Sequence, residues 1–555
     1  MSWHKQIVSF GMLTLMLGNF TAVTRAQGPV EGTGIVNLSQ DNNQTSSQSS
    51  SQLTKLPPPK VDLPTLRTGV DPNKVMKLSL QEAVTMALER NLGIKNEQEN
   101  IKLAQFDLEG AQGVYDPIVG LGTFFSRNNI PSANPFNVGT GSNAVTFQSF
   151  GVNLNASKQF TNGSSGEATF DVSRSTTNSN SSGLSPKFEP KFEIKFRQPI
   201  MKNYKVNQNT RNTQALKKKL DLADLAFRQK LVDLIARVQS AYYDLGFAIK
   251  NIDIQREAVE LAAVQLRNNE IQVKAGTAAP IDIVSAQAEL ERRKDAAISA
   301  LVPITQAENT LKLLLLDDPI SDLMNYQIIP TDSIDVSTNQ IDLNTAISIA
   351  MDHRAEIKQL EIQGEVNKVD IEFFKNQLKP QVDLTASFSL QGLAGQPGTS
   401  PAGFPTLNGG IFDGALGQSV INLFRFRTYQ GGVTITLPYK NRTAQANLAK
   451  TEVVSRQLDN QKRQMVLSIV TDVRNALQFV ESSFQRVEAA RASVKAAEEQ
   501  LRGEEQKFAA GLSTTFFVLQ RQNELSSARG SELKAKTDYN KAKADLQRVM
   551  ANNLP

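Results

Sequence analysis

The side chains that most often carry catalysis or hold metals are scarce in this chain. Its 555 residues include two histidines and no cysteine. His4 lies in the apolar N-terminal stretch, and His353 stands alone between Asp352 and Arg354. Without cysteine there is no disulfide, thiolate ligand, cysteine nucleophile or N-terminal lipid attachment site. The sequence also shows no glycine-rich phosphate loop and no spaced set of metal ligands. We therefore expect no catalytic residue, no metal site and no cofactor.

Charge and hydropathy narrow the possible partners. The formal net charge is +5, and removal of Lys5 and Arg25 with a cleaved leader lowers it to +3. So small a charge on a long chain predicts no nucleic-acid partner. After residue 26 the sequence has no uninterrupted apolar run long enough for a membrane helix, which needs about 20 residues. Any membrane insertion should therefore use β-strands.

The N-terminal 76 residues are expected to lie outside the folded body. Residues 1–26 have the pattern of a signal peptide, with Lys5 before an apolar stretch and the small residues Thr24 and Ala26 at the cleavage site. An uncleaved membrane anchor is the alternative, and polar residues within the stretch disfavour it. Residues 27–76 begin as a segment rich in Ser, Gln, Asn and Gly, a composition that predicts a disordered arm.

The remainder is a duplicated unit, residues 77–330 and 331–555. The segment from Leu78 aligns without a gap with the segment from Ile341, at an offset of 263 residues. Later segments, which contain the two hairpin turns described below, align at an offset of 235 residues. Matching pairs include Ala83/Ala346, Ala87/Ala350, Pro117/Pro380, Gly276/Gly511 and Leu290/Leu525. Internal repetition of this kind indicates two copies of one structural unit.

Each copy contains a coiled-coil pattern. Apolar residues follow one another at alternating spacings of four and three over residues 227–252 and again over 470–487. No proline and no pair of glycines interrupts residues 203–273, which predicts a helix of about 70 residues, roughly 100 Å long. Each long helix should end at Gly276 or Gly511, after which a helix of about 35 residues returns to form an antiparallel hairpin. An ordinary soluble coiled coil would show the same pattern.

Prolines mark the places where helical periodicity gives way to alternation. Pro380 precedes VDLTASFSL, and Pro438 ends GGVTITLP; Pro117 and Pro199 occupy the equivalent places in the first copy. We expect all four prolines to lie at helix–strand junctions. Strands of about nine residues, apolar on one face and polar on the other, suit the wall of a membrane barrel. A soluble β-sandwich has the same alternation.

Four clear strands are too few for a barrel. A membrane barrel requires at least about eight strands, and hydrocarbon does not tolerate open sheet edges. Three copies would supply twelve strands. The predicted fold is therefore mainly α with β: duplicated long antiparallel helical hairpins, with transmembrane β-strands that contribute to a shared trimeric β-barrel. A further alternating hairpin, near residues 150–175, either joins the wall or stands above it.

From Lys77 to Leu554 the sequence resembles the TolC family of outer-membrane efflux and secretion proteins. The resemblance rests on the duplication, the LSLQEAVTMALERN opening, the proline-terminated helices that lead into strands, and the hairpin turns that contain Ala-Gly. It implies a homotrimeric passive channel of a tripartite efflux or type I secretion system. Such a channel sits in outer-membrane lipid of a Gram-negative bacterium, extends through the periplasm, and meets a periplasmic adaptor (membrane fusion) protein and an inner-membrane pump. The resemblance does not identify the exported cargo.

The resemblance assigns the two hairpin turns to the periplasmic tip, where the channel is gated and the adaptor binds. The residues concerned are Gly276, Thr277, Asp282, Gly511, Leu512, Phe516, Phe517 and Gln520. Some TolC-like channels carry two acidic residues just after the second turn, but this chain has Phe517 and Gln520 there and keeps only Asp282 in the first copy. We therefore expect a gate closed partly by apolar packing around Phe516 and Phe517. Its cation selectivity should be weaker than that of the channels that carry both acidic residues.

The alternative function is a soluble periplasmic adaptor or structural protein. In that case the helical hairpins would act as a coiled-coil spacer, and the strands would form a small water-soluble domain. The apolar strand faces distinguish the two possibilities, because faces in contact with lipid would make detergent necessary for extraction.

Overall fold

The computed structural model describes residues 67–132, 138, 143–179, 182–318, 320–336, 341–398 and 410–552. The predicted signal peptide, and the predicted arm up to residue 66, lie outside these residues. Strand β1 (Asp71–Leu78) begins within the predicted arm, because it pairs in parallel with β6 (Tyr326–Pro330) and places Leu78 in the core. The predicted disorder therefore does not extend to residues 71–76.

Within the described residues, five α-helices belong to the first repeat. They are α1 (Leu80–Arg90), α2 (Leu92–Gln112), α3 (Gln208–Lys274), α4 (Pro280–Ser299) and α5 (Leu301–Leu315). A capping box starts α1, since the Ser79 hydroxyl accepts from the Glu82 amide while the Glu82 carboxylate accepts from the Ser79 amide. Asn207 caps the start of α3 with the same type of capping box. The 67 residues of α3 confirm the long helix predicted for the first copy.

The described part of the second repeat also contains five α-helices. They are α6 (Leu343–His353), α7 (Ala355–Gln377), α8 (Leu416–Leu423), α9 (Arg442–Ala509) and α10 (Thr515–Val549). The 68 residues of α9 and the 35 residues of α10 confirm the predicted second hairpin. The returning arm of the first hairpin differs from the prediction, because it is divided into α4 and α5 at Ala300. Pro303 lies in the first turn of α5, where its missing N–H leaves no unsatisfied helical bond.

The two repeats bury equivalent cores. Ala83 and Ala87 of α1 pack against α3, and their counterparts Ala346 and Ala350 of α6 pack against α9. In the first core the Tyr242 hydroxyl donates to the Leu78 carbonyl at 2.9 Å, and burial raises the pKa of Tyr242 to about 12. Among the described residues, no helix combines the length and apolar character needed to cross a membrane.

The strands of both repeats share one antiparallel sheet. Its strands are β2 (Ile118–Pro131), β3 (Ala144–Gln159), β4 (Ser165–Thr177), β5 (Leu184–Pro199), β7 (Gln381–Gln391), β8 (Ala394–Pro397) and β9 (Phe426–Thr436). The order is β2-β3-β4-β5-β7-β9, and β8 pairs with β5 outside this path. The four predicted strands correspond to β2, β5, β7 and β9. The additional hairpin, whose place the sequence left open, is β3–β4, and it lies within the sheet between β2 and β5.

Candidate functional site

One face of the sheet is apolar. Directly paired residues of an antiparallel sheet lie on the same face, so each row of partners can be followed from strand to strand. One such row contains only apolar and aromatic residues from β2 to β9: Val119, Ala156, Ala168, Ile194, Phe388 and Tyr429. At the sheet edges these side chains are strongly exposed, at 71% for Val119 and 73% for Tyr429. This face is suited to contact with lipid.

The opposite face is polar and carries ion pairs. The row adjacent to the apolar one contains Gly120, Asn155, Thr169, Glu193, Ser389 and Thr428. On this face the Lys191 ammonium lies 2.9 Å from the Glu193 carboxylate, and the Arg197 guanidinium lies 2.7 Å from Asp383. Charges of both signs, held beside one another, suit a wall that faces water.

The four prolines Pro117, Pro199, Pro380 and Pro438 lie at or next to strand ends. Pro117 and Pro380 come immediately before β2 and β7. Pro199 is the last residue of β5, and Pro438 follows β9 by two residues. A proline cannot donate to the strand ladder, which explains its place at the ends of these strands.

The two hairpin turns have the same backbone geometry. Gly276 follows α3 and Gly511 follows α9, each with a φ of +74°, a conformation that favours glycine. The Gly276 amide donates to the Val273 carbonyl and the Thr277 amide to the Gln272 carbonyl, which is the Schellman pattern. Gly511 and Leu512 repeat both bonds, to Phe508 and Lys507 respectively. Duplication has therefore preserved the turn.

The residues after the turns differ between the copies. Asp282 occupies the third position of α4, where its carboxylate accepts from the Ala279 amide at 3.2 Å. Phe517 occupies the equivalent position of α10. Phe516 and Phe517 contact each other edge to face, with ring centroids 5.6 Å apart, and are 69% and 48% exposed. The Gln520 amide donates to Glu524. The second tip thus presents an apolar pair where the first presents a carboxylate.

A buried polar contact, not predicted from the sequence, brings the two tips together. Asn269 of α3 is fully buried, and its side-chain oxygen accepts from Gln265 at 2.9 Å and from the Thr515 hydroxyl of α10 at 3.2 Å. Its amide nitrogen donates to the Asp282 carbonyl at 3.0 Å. Asn269 therefore connects α3, α4 and α10. A polar residue on a coiled-coil seam is the only sequence signal that could have pointed to it.

Two carboxylates on the last turns of α9 have shifted pKa values of opposite direction. A hydrogen bond from Ser513 lowers the pKa of Glu504 and ties the helix to the connection that follows Gly511. Burial raises the pKa of the neighbouring Glu505. Acidic groups therefore lie near the second tip, although they precede the turn rather than follow it.

Solved structures of outer-membrane channels have the same fold. A membrane protein from Pseudomonas aeruginosa superposes with a TM-score of 0.61 at 17% identity, covering 89% of this chain and 99% of the other. The CmeC channel of Campylobacter jejuni gives 0.61 at 15% identity, with 90% and 95% covered. The open-state MtrE channel of Neisseria gonorrhoeae gives 0.56 at 17% identity, with 90% and 98% covered. At such low identities these similarities establish the fold.

The family is established by sequence. The family model for outer membrane efflux proteins matches residues 167–315 and 346–552, which together make up more than half of the chain. No curated protein sequence matches. The match spans both helical hairpins and the strands β5, β7 and β9, and the apolar sheet face agrees with a location in the outer membrane. The chain is therefore a member of the outer membrane efflux protein family, whose proteins are channels of the Gram-negative outer membrane.

Proposed function

We propose that three copies of this chain form a passive export channel whose periplasmic tip docks an adaptor protein coupled to an inner-membrane pump. The observation that carries the proposal is the two open edges of the sheet. Among the described strands, β2 pairs with β3 alone and β9 pairs with β7 alone. Hydrocarbon does not tolerate such edges, so β2 of one copy must pair with β9 of the next. The two run in opposite directions, as antiparallel closure requires.

The helices support a conduit below the sheet. Helices α3 and α9 each extend roughly 100 Å at 1.5 Å per residue, which is far longer than a compact domain requires. Both leave the sheet on the same side, so three copies would place six such helices around one axis. Passage through an open channel is passive, so the energy for export would come from the pump.

Trimer formation tests the proposal directly. The chain without residues 1–26 should require detergent for extraction and should elute with the mass of three copies in light scattering. When this protein is reconstituted into vesicles, it should release a small entrapped dye whenever the gate at its periplasmic tip is open. A monomer that stays dissolved without detergent would instead favour the soluble spacer.

The turn glycines give a prediction about docking. Gly276→Val and Gly511→Val should reduce export in cells, because a β-branched residue resists the positive φ that each turn requires, at a cost of about 1–2 kcal/mol. A Cβ at either position meets nothing within 4 Å, so overall folding should survive. Gly530→Val, in the middle of α10 and also in open space, is the control. Full export by both turn variants would contradict the tip assignment.

Ion selectivity gives a second prediction about the tip. Single-channel recordings in planar bilayers should show weak cation preference, which Asp282→Ala lowers further. Phe517→Ala should raise the conductance, because it removes one of the two exposed rings at the constriction. Strong cation selectivity that survives Asp282→Ala, with no effect of Phe517→Ala, would rule out the apolar gate.

A further inference from the structure

The position of hairpin β3–β4 determines how many strands form the wall. Both strands lie in the interior of the sheet, so β2 and β5 are not neighbours. The family resemblance, with four strands per chain, implies a wall of twelve strands in a trimer. The described sheet has six strands on its continuous path.

Pairing along this hairpin is unbroken. Fourteen consecutive residue pairs join β2 to β3, and eleven consecutive pairs join β4 to β5, with no register shift in either. Thirteen pairs join β3 to β4. Strands with this many backbone partners on both sides form part of the sheet. Without β3 and β4, the backbone N–H and C=O groups of β2 and β5 that now pair with them would lose their partners.

The hairpin continues both faces of the sheet. Its apolar-face residues include Phe150, Val152, Leu154, Phe170 and Val172. Its polar-face residues include Asn153, Asn155, Glu167, Thr169 and Asp171. The Asn153 amide also donates to Asp171 across the two strands on the polar side. A hairpin standing in water above the wall would have no reason to keep one apolar face in line with that of β5.

The turn of the hairpin is fastened to the start of α3. The Lys205 amide donates to the Asn162 carbonyl at 3.0 Å, and Asn207, the cap of α3, donates to the Thr161 carbonyl at 3.3 Å. Gly163 has a φ of +89°, and a Cβ there would lie 2.3 Å from the Asn203 carbonyl oxygen. The turn is therefore packed at the helical end of the sheet, on the level where β5 ends.

We propose that the membrane barrel contains six strands from each chain and eighteen in the trimer, with β3 and β4 as full members of its wall. The inference rests on the trimer proposed above. Because barrel diameter grows roughly in proportion to strand number, the lumen should be about 1.5 times as wide as that of a twelve-stranded barrel. The narrowest passage would then lie at the helical tip, and the barrel could admit bulkier solutes than a twelve-stranded one.

Disulfide trapping tests the strand order, and the absence of native cysteine makes introduced cysteines unique. Gly120 lies opposite Asn155 on the polar face, so the pair Gly120→Cys with Asn155→Cys should cross-link within one chain of the trimer. Gly120→Cys combined with a cysteine at Lys191, Glu193 or Lys195 of β5 should not. Three strand spacings, about 14 Å, separate β2 from β5.

Labelling provides an independent measurement. In vesicles, Leu154→Cys should resist a water-soluble maleimide, whereas Asn155→Cys on the opposite face should react. Trimer mass is measured on the same samples. A trimer in which Gly120→Cys joins β5, or in which Leu154→Cys reacts as readily as Asn155→Cys, would overturn the eighteen-stranded wall and leave the proposed channel standing. A detergent-free monomer would overturn the proposed channel, and the wall with it.

Discussion

Phe192→Lys should make membrane insertion less favourable by about 2–4 kcal/mol, the cost of a lysine at mid-bilayer on the lipid face of a barrel. Phe192 lies at the centre of the apolar face, paired with Phe170 on one side and Leu390 on the other. A lysine there has no acidic partner in its row, which runs from Leu121 in β2 to Arg427 in β9. The measurement is urea-dependent folding into lipid vesicles, followed by trimer yield.

Two lysine substitutions control for side-chain size and depth. Ser389→Lys introduces the same residue on the polar face, beside Glu193, and should insert normally. Leu384→Lys is on the apolar face near the helical end, where Leu384 pairs with Gln198, and the cost there should fall to about 0–1 kcal/mol. Equal losses for Phe192→Lys and Ser389→Lys would show that the apolar face does not meet lipid.

Glu308→Ala should destabilise the first repeat by about 3–5 kcal/mol, because it leaves two buried cations without their partner. Glu308 is fully buried, and its carboxylate contacts the Arg67 guanidinium and, at 3.0 Å, the Lys312 ammonium, whose side chain is 1% exposed. The same carboxylate accepts from the Ile328 amide of β6. The substitution therefore loosens α5, β6 and the segment before β1 together. Denaturant unfolding, followed by circular dichroism at 222 nm, measures the loss.

Glu99→Ala is the matched control, since Glu99 pairs with Lys102 on an exposed face of α2 and the change should cost at most about 1 kcal/mol. Replacing Arg67, Glu308 and Lys312 together by leucine or methionine should recover most of the stability, because no buried charge then remains. Indistinguishable unfolding midpoints for Glu308→Ala and Glu99→Ala would contradict the buried ion cluster.

Long helices could be predicted from the sequence because one interaction repeats along them. The seam of α3 places an apolar residue every three or four positions for many turns, so a single irregular residue does not change the conclusion. The turn at Gly276 followed from the same reasoning, since only glycine readily ends a helix at a φ of +74°. The break at Ala300 was missed because Pro303, in a first turn, leaves little trace in the apolar pattern.

The place of β3 in the sheet could not be predicted. Alternation tells which face a residue occupies, whereas strand neighbours depend on register between distant segments. Asn269 and Arg67 show the same limit at single residues. Asn269 reads as one polar position on a seam, and Arg67 as the end of a polar arm; their partners, Thr515 and Glu308, lie 246 and 241 residues away.

The strand order also limits what must be translocated during assembly. Because the six strands alternate in direction, the chain returns to the end of the sheet at which it entered. Helices α3 and α9 therefore begin at the same end of the sheet as that at which α2 and α7 finish. Within the described residues, only the strand ends opposite to these helices, together with α8, need to emerge at the cell surface. The long helices of each subunit therefore do not cross the lipid, and the chain can insert from the periplasmic side alone.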